Sequence, residues 1–137
     1  MPKAIHKISG VVRNYDWGGY NYIPAFLGDC EPQEAPSAEY WLGVHPSAPA
    51  VVTEGEKAGE NLIHLQEELG DAPLSFLMKI LDVRQMLSIQ VHPSITEAEA
   101  GFAAEEAAGI AITAPDRTYK DKNHKPELAY ALGEFWM

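Results

Sequence analysis

The sequence lacks several features that define whole classes of protein. It has one cysteine, Cys30, among 137 residues. Neither an intramolecular disulfide nor a cluster of several thiolates on a metal can therefore form within one chain. No apolar run approaches the roughly 20 residues that a membrane-spanning helix needs, and the N-terminus has no hydrophobic segment of a signal peptide. We therefore expect a cytoplasmic protein.

Positive charge is also scarce. Lys and Arg total 10 against 20 Asp and Glu, which gives a formal net charge of −10. Such a charge repels nucleic acids and anionic membranes at long range, so we expect neither as a partner. The sequence also contains no Gly-x-Ser-x-Gly turn and no His-Glu-x-x-His pattern, which are typical of serine hydrolases and zinc proteases.

What the chain does contain is short apolar segments, turns and a few helical patterns, in a length that suits one domain with a real core. Helices are predicted over residues 61–69 with Gly70 as the C-cap, and from a Ser94–Glu97 capping box to about residue 108. Residues 22–27 are predicted to form a short helix or a turn. Strands are predicted over residues 5–12, 38–44, 51–53, 75–81, 86–91 and 126–132.

Two of these segments are the most hydrophobic part of the chain. Residues 75–81 and 86–91 are separated by a short polar connection, so we predict a hairpin that forms the core. The polar stretch 110–125 is long for a loop in a compact domain, which favours a role in a functional site.

Polar side chains alternate along the second of these predicted strands. Ser88, Gln90 and His92 fall on one face because successive side chains of a strand point to opposite sides. Imidazole is the commonest metal ligand, and the amide oxygen of Gln90 can be a second. The alternative is a half-exposed strand with a polar outer face, and the spacing alone leaves both interpretations open.

The segment from His124 to Glu127 has a similar pattern. Because the residue before a proline is driven towards an extended conformation, Lys125 and Glu127 are predicted to share one face. A carboxylate ligand beside an ammonium group suits a metal site that handles an anionic substrate. A solvent-exposed ion pair, which contributes roughly 0–1 kcal/mol, is the alternative.

Two isolated charges lie within otherwise apolar strands. Lysine is rarely buried without a partner, so Lys79 either extends to solvent at a sheet edge or directs its charge into a cavity. Glu39 raises the same question with the opposite sign.

Taken in order, five segments of the chain resemble type I mannose-6-phosphate isomerases (phosphomannose isomerases). They are NYDWG at 14–18, AEYWLGVHP at 38–46, FLMKIL at 76–81, LSIQVHP at 87–93 and YKDKNHKPEL at 119–128.

The resemblance implies a mainly β fold with helical insertions. It would be a partial cupin, a jelly-roll-like β-barrel, from the first part of a two-cupin enzyme. Residues 1–93 would supply the first cupin strands with short helices, 94–118 a helix and loop insertion, and 119–137 the returning strands. Because family members are typically much longer, we expect this chain to be truncated.

The activity that the resemblance implies is zinc-dependent interconversion of mannose 6-phosphate and fructose 6-phosphate. The expected partners are a small sugar phosphate and the C-terminal part of the enzyme. The implied residues are Gln90, His92 and Glu127 as ligands of Zn²⁺, Lys125 and His124 as catalytic residues, and Glu39, Lys79 and Ser88 as substrate-binding residues.

The fourth zinc ligand of the family, a histidine, has no counterpart in this chain, so we expect the isolated chain to be inactive or weakly active. One alternative is a non-catalytic, cupin-like remnant that binds metal and sugar phosphate. Another is a different cupin metalloenzyme, such as an oxygenase. Those enzymes usually place paired histidines where this chain has Gln90 and His92, which counts against that assignment.

Overall fold

The computed structural model describes residues 5–29, 31, 33–70, 72, 74–87 and 89–134. The chain divides into two compact units, Met1–Leu87 and Ser88–Met137. Within the described ranges, no helix is both long enough and apolar enough to cross a membrane.

The first unit contains small antiparallel sheets and two helices. Its elements in chain order are β1 (Ile8–Ser9), β2 (Val11–Arg13), α1 (Tyr22–Phe26), β3 (Glu39–Leu42), β4 (Val51–Val52), α2 (Leu62–Leu69) and β5 (Met78–Leu81). Strand β1 pairs with β4, and a separate sheet has the order β2-β3-β5. A closed barrel is not seen among the described strands.

Gly10 separates β1 from β2 and explains why the predicted strand 5–12 is divided. A Cβ atom at this position would lie 2.1 Å from the backbone oxygen of Trp41, which no side chain can tolerate. The N–H of Gly10 instead donates to the hydroxyl of Tyr40 at 2.6 Å. The chain therefore passes close against β3 at this residue.

Strand β3 is the centre of the larger sheet and is buried along most of its length. The buried apolar residues of the described chain are Ile23, Ala38, Tyr40, Trp41, Ala48, Ala50, Val52, Leu65 and Ala98. All but the last belong to the first unit, where they lie in or near β3, β4 and the two helices.

Helix α2 confirms the helix predicted over residues 61–69 and its C-cap at Gly70. The side chain of Asn61 accepts the N–H of His64 at 2.9 Å and caps the N-terminus. Gly70 ends the helix in the left-handed conformation, with φ of 64°. Within the helix, Leu65 is buried and Leu69 is 57% exposed.

The second unit is built on helix α3 (Ile95–Ala107). The predicted capping box is present, since Ser94 and Glu97 exchange side chain–backbone hydrogen bonds. Gly109, with φ of 72°, follows the end of the helix. Both ends lie within two residues of the positions predicted from sequence.

The predicted core hairpin is wrong. Strand β5 pairs with β3, with Trp41 opposite Lys79, and the described residues of 86–91 form no strand. Strand β3 offers β5 a buried partner of equal length, and such long-range pairing overrides the local pattern. Ile89 is 99% exposed.

The predicted strand 126–132 is also absent from the described residues. A strand needs the edge of a neighbouring strand to satisfy its backbone groups, and no described strand pairs with this segment. Its apolar side chains Leu128, Tyr130 and Leu132 are 75–100% exposed.

Candidate functional site

Four of the residues predicted to form a site lie together in the second unit. Gln90 and His92 precede helix α3, and Lys125 and Glu127 follow the long loop after it. The loop therefore returns the chain to the segment from which the helix starts. Gln90 and His92 were predicted to share one face because they would alternate along a strand. Neither segment is a strand, so that reason does not hold.

The ammonium group of Lys125 joins the two segments. Its Nζ lies 3.4 Å from Gln90 Oε1, to which it donates, and 3.3 Å from Glu127 Oε1. The side chains of Lys125 and Glu127 are 51% and 44% exposed. Ion pairs at such exposure contribute little to stability, so this contact adds little to the free energy of folding.

The imidazole of His92 makes a second link between the segments. Its Nδ1 lies 2.6 Å from the backbone oxygen of Lys125, and its Nε2 lies 3.8 Å from Glu127 Oε2. When Nδ1 carries the proton and donates to that carbonyl, Nε2 presents a lone pair towards the carboxylate. This is the usual orientation of a histidine that ligates a metal.

These donors fit part of a zinc site. Zinc takes nitrogen and oxygen ligands at about 2.0–2.2 Å, which places two ligand atoms on a tetrahedral ion roughly 3.4 Å apart. The separation of 3.8 Å between Nε2 of His92 and Oε2 of Glu127 is close to that value. No group of three His, Cys, Asp or Glu side chains suits a metal within the described part of the chain. A tetrahedral site at this place would need two ligands besides His92 and Glu127, and the Gln90 amide is the one that the sequence predicts.

A second cluster lies in the first unit, on one face of the β2-β3-β5 sheet. Glu39 is 8% exposed, and its Oε2 accepts the indole N–H of Trp41 at 2.6 Å. Lys79 Nζ lies 3.7 Å from Glu39 Oε1 and 4.7 Å from the centre of the Trp41 ring. The two isolated charges of the sequence are therefore partners, brought together by the register that places Trp41 opposite Lys79.

Arg13 adds a further cation to this cluster. Its guanidinium carbon lies 5.0 Å from the centre of the Trp41 ring, and its Nε donates to the hydroxyl of Tyr15 at 3.3 Å. Two cations thus lie beside one indole, and among the described residues Glu39 is the one carboxylate that forms an ion pair with either of them. The cluster is locally positive in a chain of net charge −10, which suits contact with an anion.

The two predicted site residues not yet described are His124 and Ser88. His124 is exposed and precedes Lys125 in the chain. Ser88 lies outside the described residues. The predicted residues thus form one cluster in each unit, with Glu39 and Lys79 in the first.

Arg117 and Glu105 were not singled out in the sequence, and they form a third group in the second unit. The Arg117 side chain is 0% exposed, and its Nε lies 3.0 Å from Glu105 Oε2. Its Nη2 lies 2.9 Å from Glu106 Oε1, an ionic contact that lacks hydrogen-bond geometry. The signal available in the sequence was the unusual length of the loop 110–125, which identifies no particular residue.

The environment of Glu105 shows how firmly this group is held. Burial raises the pKa of its carboxyl group, but hydrogen bonds from the N–H groups of Thr118 and Tyr119 and the charge of Arg117 outweigh that effect. The net pKa lies below its ordinary value. The structure thus favours the ionised carboxylate.

Comparisons with known proteins agree on one family. A family model described as phosphomannose isomerase type I, catalytic domain, matches residues 5–137. The mannose-6-phosphate isomerase of Salmonella typhimurium is 41% identical over 142 aligned residues, which cover 96% of this chain and 36% of that protein. The enzyme of the same name from Escherichia coli K12 is 39% identical, with the same coverage of both chains.

A solved structure of the Salmonella typhimurium isomerase, bound to its substrate fructose 6-phosphate and to zinc, has a similar fold. The TM-score is 0.74 at 37% identity, over 88% of this chain and 33% of that one. The chain thus spans about a third of the length of the relatives that it matches.

Proposed function

The chain belongs to the phosphomannose isomerase type I family, and we propose that it supplies the metal-binding part of an enzyme that interconverts mannose 6-phosphate and fructose 6-phosphate. The observation that carries this proposal is the cluster of Gln90, His92, Lys125 and Glu127 in the second unit. The zinc in the Salmonella typhimurium structure is consistent with the same metal here.

In this proposal Gln90, His92 and Glu127 hold Zn²⁺. The reaction moves a proton between C2 and C1 of the sugar through an enediol, and it needs stabilisation of the developing negative charge on oxygen. Zinc supplies a Lewis acid for that charge when it is bound. The Nδ1–H···O contact of His92 with Lys125 directs Nε2 towards Glu127 and so keeps the ligand lone pair available.

Lys125 is the proposed catalytic cation of the site. Its ammonium group lies within 3.4 Å of both Gln90 Oε1 and Glu127 Oε1. From that position it can donate a hydrogen bond to a sugar oxygen as negative charge develops there. His124, the next residue towards the N-terminus, is the second proposed catalytic residue.

Substrate binding is proposed for Glu39, Lys79 and Ser88. A sugar phosphate is an anion, and the net charge of −10 makes a local cation necessary for its capture. Lys79 offers that cation, held by Glu39 at 3.7 Å and by the face of the Trp41 ring. The carboxylate of Glu39 keeps the ammonium in place without neutralising the cluster, because Arg13 adds a further positive charge.

For the fold, we propose that the small sheets are part of a cupin barrel in a two-cupin protein. Residues 1–93 then contribute barrel strands, 94–118 the helical insertion and 119–137 the returning strands. The exposed apolar residues of the described chain support a larger assembly. Ile89, Val91, Leu128, Tyr130 and Leu132 are each at least 75% exposed.

From the coverage of about one third, we infer that the isolated chain is inactive or weakly active and that the C-terminal part of the enzyme completes the site. A non-catalytic remnant that binds metal and sugar phosphate is not favoured, because the matched relatives are named isomerases.

The test measures binding and turnover on the purified 137-residue chain. We expect calorimetry to detect binding of fructose 6-phosphate that depends on added zinc, and a coupled assay to give turnover far below that of the Salmonella typhimurium enzyme. Absence of zinc-dependent binding would contradict the site. Turnover comparable with the longer enzyme would contradict the inferred inactivity of this chain.

A further inference from the structure

We propose that helix α3 is a frame for the zinc site and that the Arg117–Glu105 pair positions Lys125 and Glu127 against Gln90 and His92. The inference rests on the proposed zinc site and adds positioning residues to it. Both ligand-bearing segments are attached to this one helix, the first at its N-terminus and the second near its C-terminus.

The first attachment is the capping box. Ser94 N–H and Ser94 Oγ both donate to Glu97 Oε2, at 2.9 and 2.7 Å, and the backbone N–H of Glu97 returns a bond to Ser94 Oγ at 3.4 Å. His92 is two residues before this cap. The direction in which the chain leaves the helix at the His92 end is therefore fixed by three hydrogen bonds.

The second attachment is the buried Arg117. Its Nε donates to the backbone oxygen of Tyr119 at 2.7 Å, and its Nη1 donates to the backbone oxygen of Ile110. The guanidinium carbon lies 4.9 Å from the centre of the Phe102 ring of the helix. The side chain thus contacts the helix, the first residue of the loop at Ile110, and Tyr119 further along the loop.

Glu105 completes this attachment from the helix. Its Oε1 accepts the N–H of Thr118 at 2.9 Å, and its Oε2 accepts the N–H of Tyr119 at 2.7 Å. Together with Arg117, one carboxylate of the helix holds three successive residues of the loop. Close packing reinforces the contact, since a Cβ atom at Gly101 would lie 2.4 Å from the Tyr119 ring.

The path from this anchor to the site is short. Six residues lead from Tyr119 to Lys125, and within them Asp121 Oδ1 accepts the N–H of Asn123 at 2.7 Å. Lys122 Nζ lies 5.4 Å from the Phe102 ring. The segment is thus held to the helix again before it reaches the Lys125 carbonyl that contacts His92.

A role in stability alone accounts poorly for this arrangement. A buried ion pair often adds little net stability compared with apolar residues of similar volume, and its best-attested use is to fix one geometry. The geometry fixed here is the separation of the two segments that carry the proposed ligands.

The test compares zinc binding by the wild-type 137-residue chain and by Glu105→Gln, which leaves one oxygen where the carboxylate has two. We expect the zinc affinity, measured by competition with a chelator, to fall about tenfold. Loss of a contact that supports a metal ligand typically lowers metal affinity by roughly 10–100-fold. The visible spectrum of bound Co²⁺ is expected to change, which a merely stabilising contact would not cause in folded protein. Glu99→Gln, at an exposed position on the same helix, is the matched control and is expected to bind like wild type.

Gly101→Ala is the second variant and leaves the ion pair intact. Alanine is the better helix former, but its Cβ displaces the Tyr119 ring, so zinc affinity is expected to fall without loss of the helix. Wild-type affinity and Co²⁺ spectra in both variants would overturn the positioning role. Absence of zinc binding by the wild-type chain would instead overturn the proposed site itself.

Discussion

The Nδ1 atom of His92 lies 2.6 Å from the backbone oxygen of Lys125, across 33 positions of the sequence. A backbone carbonyl can only accept, so the imidazole must donate from Nδ1. The same contact holds the Lys125 backbone beside the residue that we propose as a zinc ligand. One hydrogen bond thus selects the tautomer of His92 and brings the two halves of the site together.

The first prediction concerns that tautomer. In the metal-free chain, neutral His92 is expected to carry its proton on Nδ1, because the Lys125 carbonyl accepts it. Long-range ¹H–¹⁵N NMR of the imidazole distinguishes the two tautomers, with the exposed His64 as an internal reference. Protonation of His92 on Nε2 would contradict the contact.

The second prediction concerns the cap of helix α3. Ser94→Ala removes the hydroxyl that accepts from Glu97 and is expected to lower the free energy of unfolding by about 1 kcal/mol. Ser94→Thr retains a hydroxyl and is the control. Urea denaturation monitored by circular dichroism measures the difference. Equal midpoints for the alanine variant and wild type would exclude the cap as a stabilising feature.

The third prediction is a pH dependence. Hydrogen bonds from Ser94 lower the pKa of Glu97. Burial raises the pKa of Glu105, but hydrogen bonds from the loop N–H groups and the charge of Arg117 lower it by more. A carboxyl group with a lower pKa in the folded chain stabilises it above the unfolded pKa, which has an ordinary value of 4.5. That stabilisation is lost as the pH falls through the lowered folded value.

Urea denaturation at a series of pH values measures this dependence. The free energy of unfolding of the wild-type chain is expected to fall below about pH 4.5, and that of Glu105→Gln to fall less over the same range. Glu99→Gln is expected to follow wild type. Parallel curves for wild type and Glu105→Gln would mean that the ionised carboxylate of Glu105 does not stabilise the folded chain.

The fourth prediction concerns the first unit. Glu39→Ala leaves the indole N–H of Trp41 without its acceptor and Lys79 without its counter-ion, so it is expected to destabilise the chain by about 2–4 kcal/mol. Glu39→Gln keeps an acceptor for Trp41 and is expected to cost less. Glu54→Ala removes an exposed ion pair with Lys7 and is the control, with a much smaller expected effect because solvent screens such pairs. Equal denaturation midpoints for Glu39→Ala and Glu54→Ala would contradict the structural role of Glu39.

The elements that the sequence predicted well are those with local signals. Helix α3 begins after the Ser94–Glu97 box, and α2 ends at Gly70, because capping depends on residues three or four positions apart. Such signals are independent of the rest of the fold, so they survive whatever the long-range pairing turns out to be.

Strand pairing depended on information that no local pattern contains. The segment around Lys79 was matched with its neighbour in sequence, but its partner is β3, almost 40 residues earlier. The same pairing explains the two isolated charges, since it brings Lys79 to Glu39. A sequence indicates that each charge needs a partner, and the sheet register determines which one.

Arg117 illustrates a different kind of miss. An arginine in a polar loop has the pattern of a surface residue, yet its side chain is fully buried against Glu105 and Phe102. The partners lie on a helix that ends ten residues earlier, and their spacing matches no recognisable motif. By contrast, the alternation along predicted strands and the resemblance to a family both indicated Gln90, His92, Lys125 and Glu127. The structure brings the two segments that carry them into contact.

The zinc content of the purified chain and of His92→Ala tests the proposed zinc site most directly, with His64→Ala as the matched control. Elemental analysis after dialysis against zinc measures that content. We expect about one zinc ion per chain for wild type and His64→Ala, and little or no zinc in His92→Ala because a ligand to the metal is lost. Undiminished zinc in His92→Ala would show that the metal binds elsewhere and would contradict the site proposed here.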